Sequence, residues 1–459
     1  MAVASVIKLS ELEGAKRIDA ELYSPEIVTY KRRLQNHPKL KDLIEKIFHP
    51  KEIQRIYSET GFQFVLAQNV KNILMSFEEK AYISSDRAVL IQDNILRDGD
   101  CLIVRSGANY GDSSVYTSLD PKPAYASADV IVIRPKDLPG EFLTVFLNTE
   151  VGRLLLKNLG YGAGQPHIRP QEIKHLPIFR PQAKVIKEIT NSVNEANRLN
   201  KEAEKYYSQA ETLLLEELGL KDFKPKYEKT YTANLSYAFS AYRIDAEYFQ
   251  PAYEEIIEYL KQRFKTEKLK NIVRFINHGK QPYYVEDGEI PVLIQKHLAS
   301  QLLSLYSEII NMPDTPRTDR SFINQYPEYC LKFGDVLFYS VGAYLGRTNV
   351  VLEDFEAVPA SFITLIRTKP EICVPDYLAL FLNSRIGQLQ SERWKSASAQ
   401  QYIYPKEIKE FVIPILPIET QQKIASLVQQ SHEARKKAIA LLEEAKRRVE
   451  EEIENQAAS

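Results

Sequence analysis

Apolar side chains recur three and four residues apart along two long charged tracts, 183–220 and 418–455, and that spacing predicts two long amphipathic helices. In the second tract Ile424, Leu427, Ser431, Ala434, Ala438, Leu441 and Ala445 alternate at heptad spacing, with small residues that allow close approach. The first tract uses Ile189, Val193, Ala196, Leu199, Ala203, Tyr206, Ala210 and Leu213, and Leu199 breaks its strict alternation. A helix of this size is about 57 Å long at roughly 1.5 Å per residue, and one apolar stripe of that length needs a mate. The chain supplies two stripes of matching length, so the helices are expected to pair as an antiparallel coiled coil. Gly219 and the KPKYEKT segment at 224–230 predict a helix stop and a domain boundary.

Shorter apolar runs punctuated by Gly predict strands at Val89–Gln92, Asp100–Val104, Asp129–Arg134, Asp335–Tyr339 and Ser361–Arg367. Helices are expected at Pro25–Gln35, Leu143–Leu156, Pro251–Arg263 and Tyr377–Leu389. In the third of these, Tyr253, Ile256, Ile257 and Leu260 share a face. This grammar is written twice. Residues 99–174 align with 334–409 at an offset of 235, with a slip of about two residues between. GDCLIVRSGANYGDSSV at Gly99–Val115 matches GDVLFYSVGAYLGRTNV at Gly334–Val350, and GAGQPHIRPQEIKHLPI at Gly162–Ile178 matches ASAQQYIYPKEIKEFVI at Ala397–Ile413. FLNTEVGRL at Phe146–Leu154 and FLNSRIGQL at Phe381–Leu389 read first as core, with a Gly for close helix packing; direct function is the alternative. RIDAELYSP at Arg17–Pro25 meets RIDAEYFQP at Arg243–Pro251 at an offset of only 226, so the second copy carries extra residues after this motif. The predicted organisation is α/β, with two pseudo-symmetric globular modules at 1–182 and 222–417 and long helices at 183–221 and 418–459. Such a duplication suits a partner that is itself repeated or two-fold.

Composition narrows the class without choosing a function. Of 459 residues, 44% are apolar and 26% charged, as in an ordinary globular protein. No apolar stretch is long enough to cross a membrane, and the opening MAVASVIKLSELEGAK lacks a basic leader followed by an apolar run. Cys101, Cys330 and Cys373 are few, odd in number and far apart, which suits a reducing compartment; a cytoplasmic location without membrane contact is expected. The net charge of −1 gives nucleic-acid binding no support by itself, so any such contact would use local basic loops, and composition alone favours an interaction scaffold.

A search for chemistry finds no catalytic, cofactor-binding or metal-ligating set. GYGAGQP at Gly160–Pro166 lacks the Lys and the Ser or Thr of a phosphate loop. The seven His residues form no ligand cluster. The EIK triplets at Glu172–Lys174 and Glu407–Lys409 superficially match half of a metal-dependent nuclease motif, but no matched upstream carboxylate serves both. The first turn of a helix after Pro170 and Pro405 is the simpler reading. QPYY at Gln281–Tyr284 echoes an amino-methyltransferase motif without its leading Asn or Asp.

With these motifs in place, the chain resembles the specificity subunit of type I restriction–modification systems over nearly its full length. GDVLFYSVGAYLGRTNVV at Gly334–Val351 is similar to that family's Gly-Asp segment, and LALFLNSRIGQLQ at Leu378–Gln390 to its following helix. Ser396–Val428 is similar to its passage from recognition domain to spacer helix, where Ile413, Pro414, Leu416 and Pro417 hold the strand's places. Gln421 matches the Gln of a Glu-Gln pair, with Thr420 where the Glu belongs; the first copy, LPIFRPQAKVI at Leu176–Ile186, departs further.

The resemblance implies a non-catalytic adaptor with two target recognition domains, each reading half of a split site in double-stranded DNA. The paired helices would set the gap and dock two methyltransferase subunits, with motor–nuclease subunits as further partners. S-adenosylmethionine, ATP and Mg would belong to those partners, and this chain would hold no cofactor. Expected DNA-binding residues are Arg105, Asn109 and Tyr110 in the first copy. In the second they are Lys280, Gln281, Tyr344, Arg347, Asn349, Arg393, Lys395 and Gln400, since Arg and Asn suit guanine and adenine edges. Expected partner-binding positions are Ile189, Val193, Leu213, Ile424, Leu427 and Leu441. A related type II complex that cuts outside its site, and a coiled-coil scaffold that binds no DNA, remain as alternatives.

Overall fold

The computed structural model describes residues 5–8, 20–76, 80–107, 109–118, 121–161, 166–298, 302, 304–312, 314–396 and 400–458. The GAGQ run at 162–165, residues 397–399 of the Ala/Ser turn and residues 17–19 of the first RIDAE motif lie outside them. The chain forms two units, one of residues 1–200 with 437–459 and one of 201–436.

In the first unit a five-stranded sheet runs in the order Ile44–Phe48, Val130–Pro135, Cys101–Val104, Ser113–Val115, Ile73–Leu74. Its central strand is apolar at every position because both faces are covered. Cys101 and Ile103 join the core made by Phe142, Val145 and Phe146. Leu102 and Val104 point the other way, into a second core with Val65, Tyr116 and Ala126, as the two-residue period of a strand requires.

The second unit repeats the design. Its four-stranded sheet runs Val273–His278, Ile363–Thr368, Val336–Tyr339, Thr348–Val350. Val336 and Phe338 face a core with Tyr377 and Phe381, while Leu337 and Tyr339 face one with Leu293, Ile309 and Leu331. Gln421, the residue singled out at the start of the second tract, is buried here. Its Oε1 accepts from Val374 N at 2.9 Å, and its Nε2 donates to Leu416 O at 2.9 Å and Ile372 O at 3.1 Å.

The two tracts fold as helices Ala183–Glu217 and Ile418–Ala458, and they pack together. In the first unit Val185, Ile189, Val193 and Ala196 share a core with Ala438, Leu442, Ala445, Val449 and Ile453. In the second, Tyr207, Ala210, Leu214 and Leu218 share one with Ile424 and Val428, and Ser431 Oγ donates to Ala203 O at 2.7 Å. From Ala434 to Ile453 the buried positions of the second helix are 434, 438, 442, 445, 449 and 453, at intervals of 4, 4, 3, 4 and 4 rather than the expected alternation of 3 and 4. Eleven residues in three turns stays close to the natural 3.6-residue period, whereas a heptad drifts from it. Leu427 and Leu441, assigned to the stripe by the heptad, are consequently only partly buried at its margins.

Two further expectations change. Val89–Gln92 is not a strand: Ser85–Leu90 is a short helix with Val89 62% and Leu90 51% exposed, because the run lacks a sheet neighbour to bury it. Leu143–Leu156 and Tyr377–Leu389 are each broken into two helices, Gly140–Asn148 with Glu150–Lys157, and Pro375–Asn383 with Arg385–Trp394. Thr149 and Ser384 leave the helical region with ψ of 162° and 160°, and each hydroxyl accepts from the N–H of the Gly three residues on. That Gly is required by crowding. A Cβ on Gly152 would lie 2.0 Å from Phe146 O, and one on Gly387 2.4 Å from Phe381 O.

Candidate nucleic-acid interface

Each unit builds its exposed loops on a Gly-Asp turn. Gly99 and Gly334 both hold φ of 84°, a conformation that favours Gly, and each places an Asp under the sheet. Asp100 accepts from Arg97 N at 2.9 Å and is gripped by Arg134 through Nε at 2.9 Å and Nη2 at 2.7 Å. Asp335 accepts from Lys332 N at 2.9 Å and is gripped by Arg367 through Nε at 2.7 Å and Nη2 at 2.9 Å. Both carboxylates are buried and both pairs are bidentate, so the turn is set by charge and geometry together. The carboxylate bond also holds the Arg134 guanidinium above its ordinary pKa.

Beyond the turn, the strand leads to a loop whose backbone pairs in the same way in both units. In the first, Arg105 N donates to Asp129 O at 2.9 Å and Ile168 N donates to Arg105 O at 3.0 Å. In the second, Ser340 N donates to Phe362 O at 3.1 Å and Ile403 N donates to Ser340 O at 3.0 Å. The short helices Pro170–Ile173 and Pro405–Ile408 follow, as the Pro-led EIK segments predict.

In the first unit this loop opens a cleft of about 310 Å³ lined by His49, Arg105, Tyr161, Arg169 and Lys174 among others. The Arg169 guanidinium lies 3.8 Å from the centre of the Tyr161 ring. Among the described residues none of the three cations is in an ion pair and none of the cleft's lining residues is acidic. Asp129, whose carbonyl pairs with Arg105 N, has its carboxylate occupied by Arg55 at 2.8 Å.

In the second unit the corresponding place is aromatic. Tyr402 and Tyr404 stack with ring centres 6.1 Å apart and planes 10° from parallel, and His278 meets Tyr404 edge-on at 5.9 Å. Tyr404 is 48% and Phe362 43% exposed. Burial lowers the His278 pKa, which favours its neutral ring.

The expected DNA-contacting residues separate into two groups. Arg105 lies in the cleft, and Asn109 is exposed on the adjoining turn. Tyr110 is half-buried, with its hydroxyl donating to Lys157 O at 3.3 Å. Arg347 covers the exposed Tyr344 ring at 4.4 Å, and Lys280 covers Tyr326 at 3.3 Å. Gln281 accepts from Ser361 Oγ at 3.2 Å, Gln400 accepts from Tyr402 OH at 2.7 Å, and Lys395 caps the helix that ends at Trp394.

Asn349 and Arg393 do not reach the surface. Asn349 sits inside the strand Thr348–Val350 at 1% exposure. Arg393 faces inward from its helix to Glu254 at 2.9 Å and Tyr237 OH at 2.6 Å, so its charge is spent inside the unit. Likewise Ile189, Val193 and Ile424 are 3%, 1% and 0% exposed in the chain's own core, because each helix buries its stripe against the other. They are not available to a second subunit. Leu213, Leu427 and Leu441 are partly buried. Sequence reasoning missed Arg169, Lys174, Tyr402 and Tyr404. Their signal was present in the aligned HIRP and YIYP segments at 167–170 and 402–405, where a shared buried Ile alternates with side chains that differ.

Residues 261–445 match the family described as type I restriction modification DNA specificity domain. The EcoBI specificity subunit of a type I restriction enzyme from Escherichia coli is 29% identical over 106 residues, 23% of this chain. That alignment spans 22% of the relative's length. Among solved structures, the chain is similar to the type I restriction–modification S subunit from M. genitalium at 13% identity and a TM-score of 0.43, covering 90% of this chain and 95% of that one. It is also similar to the HsdS subunit from Thermoanaerobacter tengcongensis at 14% identity and a TM-score of 0.27, covering 91% and 95%. Through the domain at 261–445, the chain is matched to the type I restriction–modification specificity family.

Proposed function

We propose that this chain is a DNA-binding adaptor that recognises a bipartite target and positions partner adenine methyltransferase and restriction subunits, without catalysis of its own. One observation carries the reading. The family match covers the second unit's Gly-Asp turn, and the first unit, outside that match, builds the same turn with the same buried Asp–Arg pair. Two copies of one recognition scaffold suit two halves of a split site. The division into recognition domains at 1–182 and 222–417, with spacer helices at 183–221 and 418–459, belongs to this proposal, as does their pseudo-symmetry.

The residues available for readout fit the role. Guanidinium, amide and hydroxyl groups on exposed loops can address base edges, while lysines and arginines fix register on phosphates. A net charge of −1 means the affinity must come from such local clusters. The partners would bring S-adenosylmethionine, ATP and Mg. The test is adenine-methylation mapping of DNA from cells that co-express this chain with a methyltransferase encoded beside it. A split motif with an unspecified gap is expected. A stable complex that leaves the DNA unmethylated would instead favour a scaffold.

A further inference from the structure

The loop beyond each Gly-Asp turn has the same backbone pairing in both units and opposite chemistry on it. We infer that the two units contact their halves of the duplex by different means at this one place: the first through the cationic cleft of Arg105, Arg169 and Lys174, the second through the aromatic face of Tyr402, Tyr404 and Phe362. This rests on the adaptor reading proposed above.

The argument begins with what a pairing constrains. Ile168 and Ile403 are buried at 0% and 1%, so their neighbours on either side are turned outward in both units. At those outward positions the first unit has His167 and Arg169, and the second Tyr402 and Tyr404. Arg105 is answered by Ser340, and its backbone partner Asp129 by the exposed Phe362. Three cations without a lining acid, in a protein of net charge −1, make a local anion seat. Arg169 is held against Tyr161 with its guanidinium carbon 3.8 Å from the ring centre, and its planar fork suits a phosphate or a guanine edge. Half-buried Tyr402 and exposed Tyr404 are near-parallel and carry no charge of their own, with Lys406 Nζ 5.8 Å from the Tyr404 ring centre as the cation beside them. They offer apolar ring surface for thymine methyls and deoxyribose, plus hydroxyls for hydrogen bonds.

The two chemistries differ in a measurable way. A cation that neutralises a phosphate releases counterions, so losing it lowers the slope of log affinity against log salt by roughly 0.9 per contact; losing a ring contact leaves that slope unchanged. The experiment uses the full chain assembled with its methyltransferase. The probes are duplexes carrying the mapped target, or that target with either half scrambled.

Arg105→Ala/Arg169→Ala is expected to bind at least tenfold more weakly, with a salt slope shallower by about 1 to 2, and to become indifferent to scrambling of one half. Tyr402→Ala/Tyr404→Ala is expected to lose affinity at unchanged slope and to become indifferent to the other half. Arg105→Lys/Arg169→Lys should restore the slope, and Tyr402→Phe/Tyr404→Phe most of the affinity. Equal slopes for the two Ala variants, or wild-type binding by both, would overturn this inference while the adaptor reading stands. A wild-type complex without sequence-specific binding would overturn both.

Discussion

At the scale of single residues, the Gly-Asp motif is informative because its chemistry is complete within a few side chains. Asp335 and Arg367 are 3% and 16% exposed, so removing one partner strands a charge away from water. Arg367→Ala is expected to cost about 3 kcal/mol, checked by urea unfolding; a loss below about 1 kcal/mol would mean that water reaches Asp335. Asp376 is a different case. It is 3% exposed, accepts from Gln429 Nε2 at 3.2 Å and has no ion-pair partner among the described residues, and burial pushes its carboxyl up to about 6. Since that lies above its ordinary value of 3.8, the folded chain favours the protonated form. Asp376 therefore contributes stability below about pH 4 that is lost as pH rises through 6. Asp376→Asn should raise stability near pH 7 by roughly 2 kcal/mol and flatten the difference from wild type above pH 6. Buried His432 lines the same small cavity and is shifted down, which contributes stability lost as pH falls. The wild-type-minus-variant difference, taken from thermal midpoints across pH, isolates Asp376, and a pH-independent difference would remove it as the titrating group.

At the scale of elements, the long helices were legible as helices and their mutual packing was legible from their matched stripes. Their register was not. Heptad and 11-residue spacings share most small residues over two or three turns, and only the partner's surface chooses between them. Leu442 is 9% exposed and Leu441 only partly buried, so Leu442→Ala should cost about 2–3 kcal/mol and Leu441→Ala under 1 kcal/mol. Denaturant midpoints reversed in order would restore the heptad. The broken helices at Thr149 and Ser384 have the same lesson. FLNT and FLNS run straight through a continuous apolar period, and the break comes from a hydroxyl cap whose choice over the helical turn depends on the packed second helix. The expected strand at Val89–Gln92 failed for the related reason that four apolar residues suit a strand only where a sheet edge receives them.

At the scale of the whole molecule, one consequence of the division into units is direct. Each unit owns a different part of the second long helix: Ile424 and Val428 belong to the core of 201–436, and Leu442, Ala445, Val449 and Ile453 to that of the first unit. A chain stopped after Lys436 should therefore keep amide protection in Pro251–Arg263 and lose it in residues 185–199. Hydrogen exchange would check this, and intact protection at 185–199 would show that the first unit does not need the helix end. By itself the amino-acid order determined the duplication, the strands at the Gly-Asp turns, the two long helices and the family resemblance. Each of these is carried by periodicity or by a motif that local chemistry completes. Tertiary structure alone decided which polar side chains face solvent. Arg393 and Asn349 are buried while Arg169 and Tyr404 are exposed, although nothing in their residue types distinguishes them. Side-chain direction depends on which face of an element meets the core, and that is a property of partners distant in the chain.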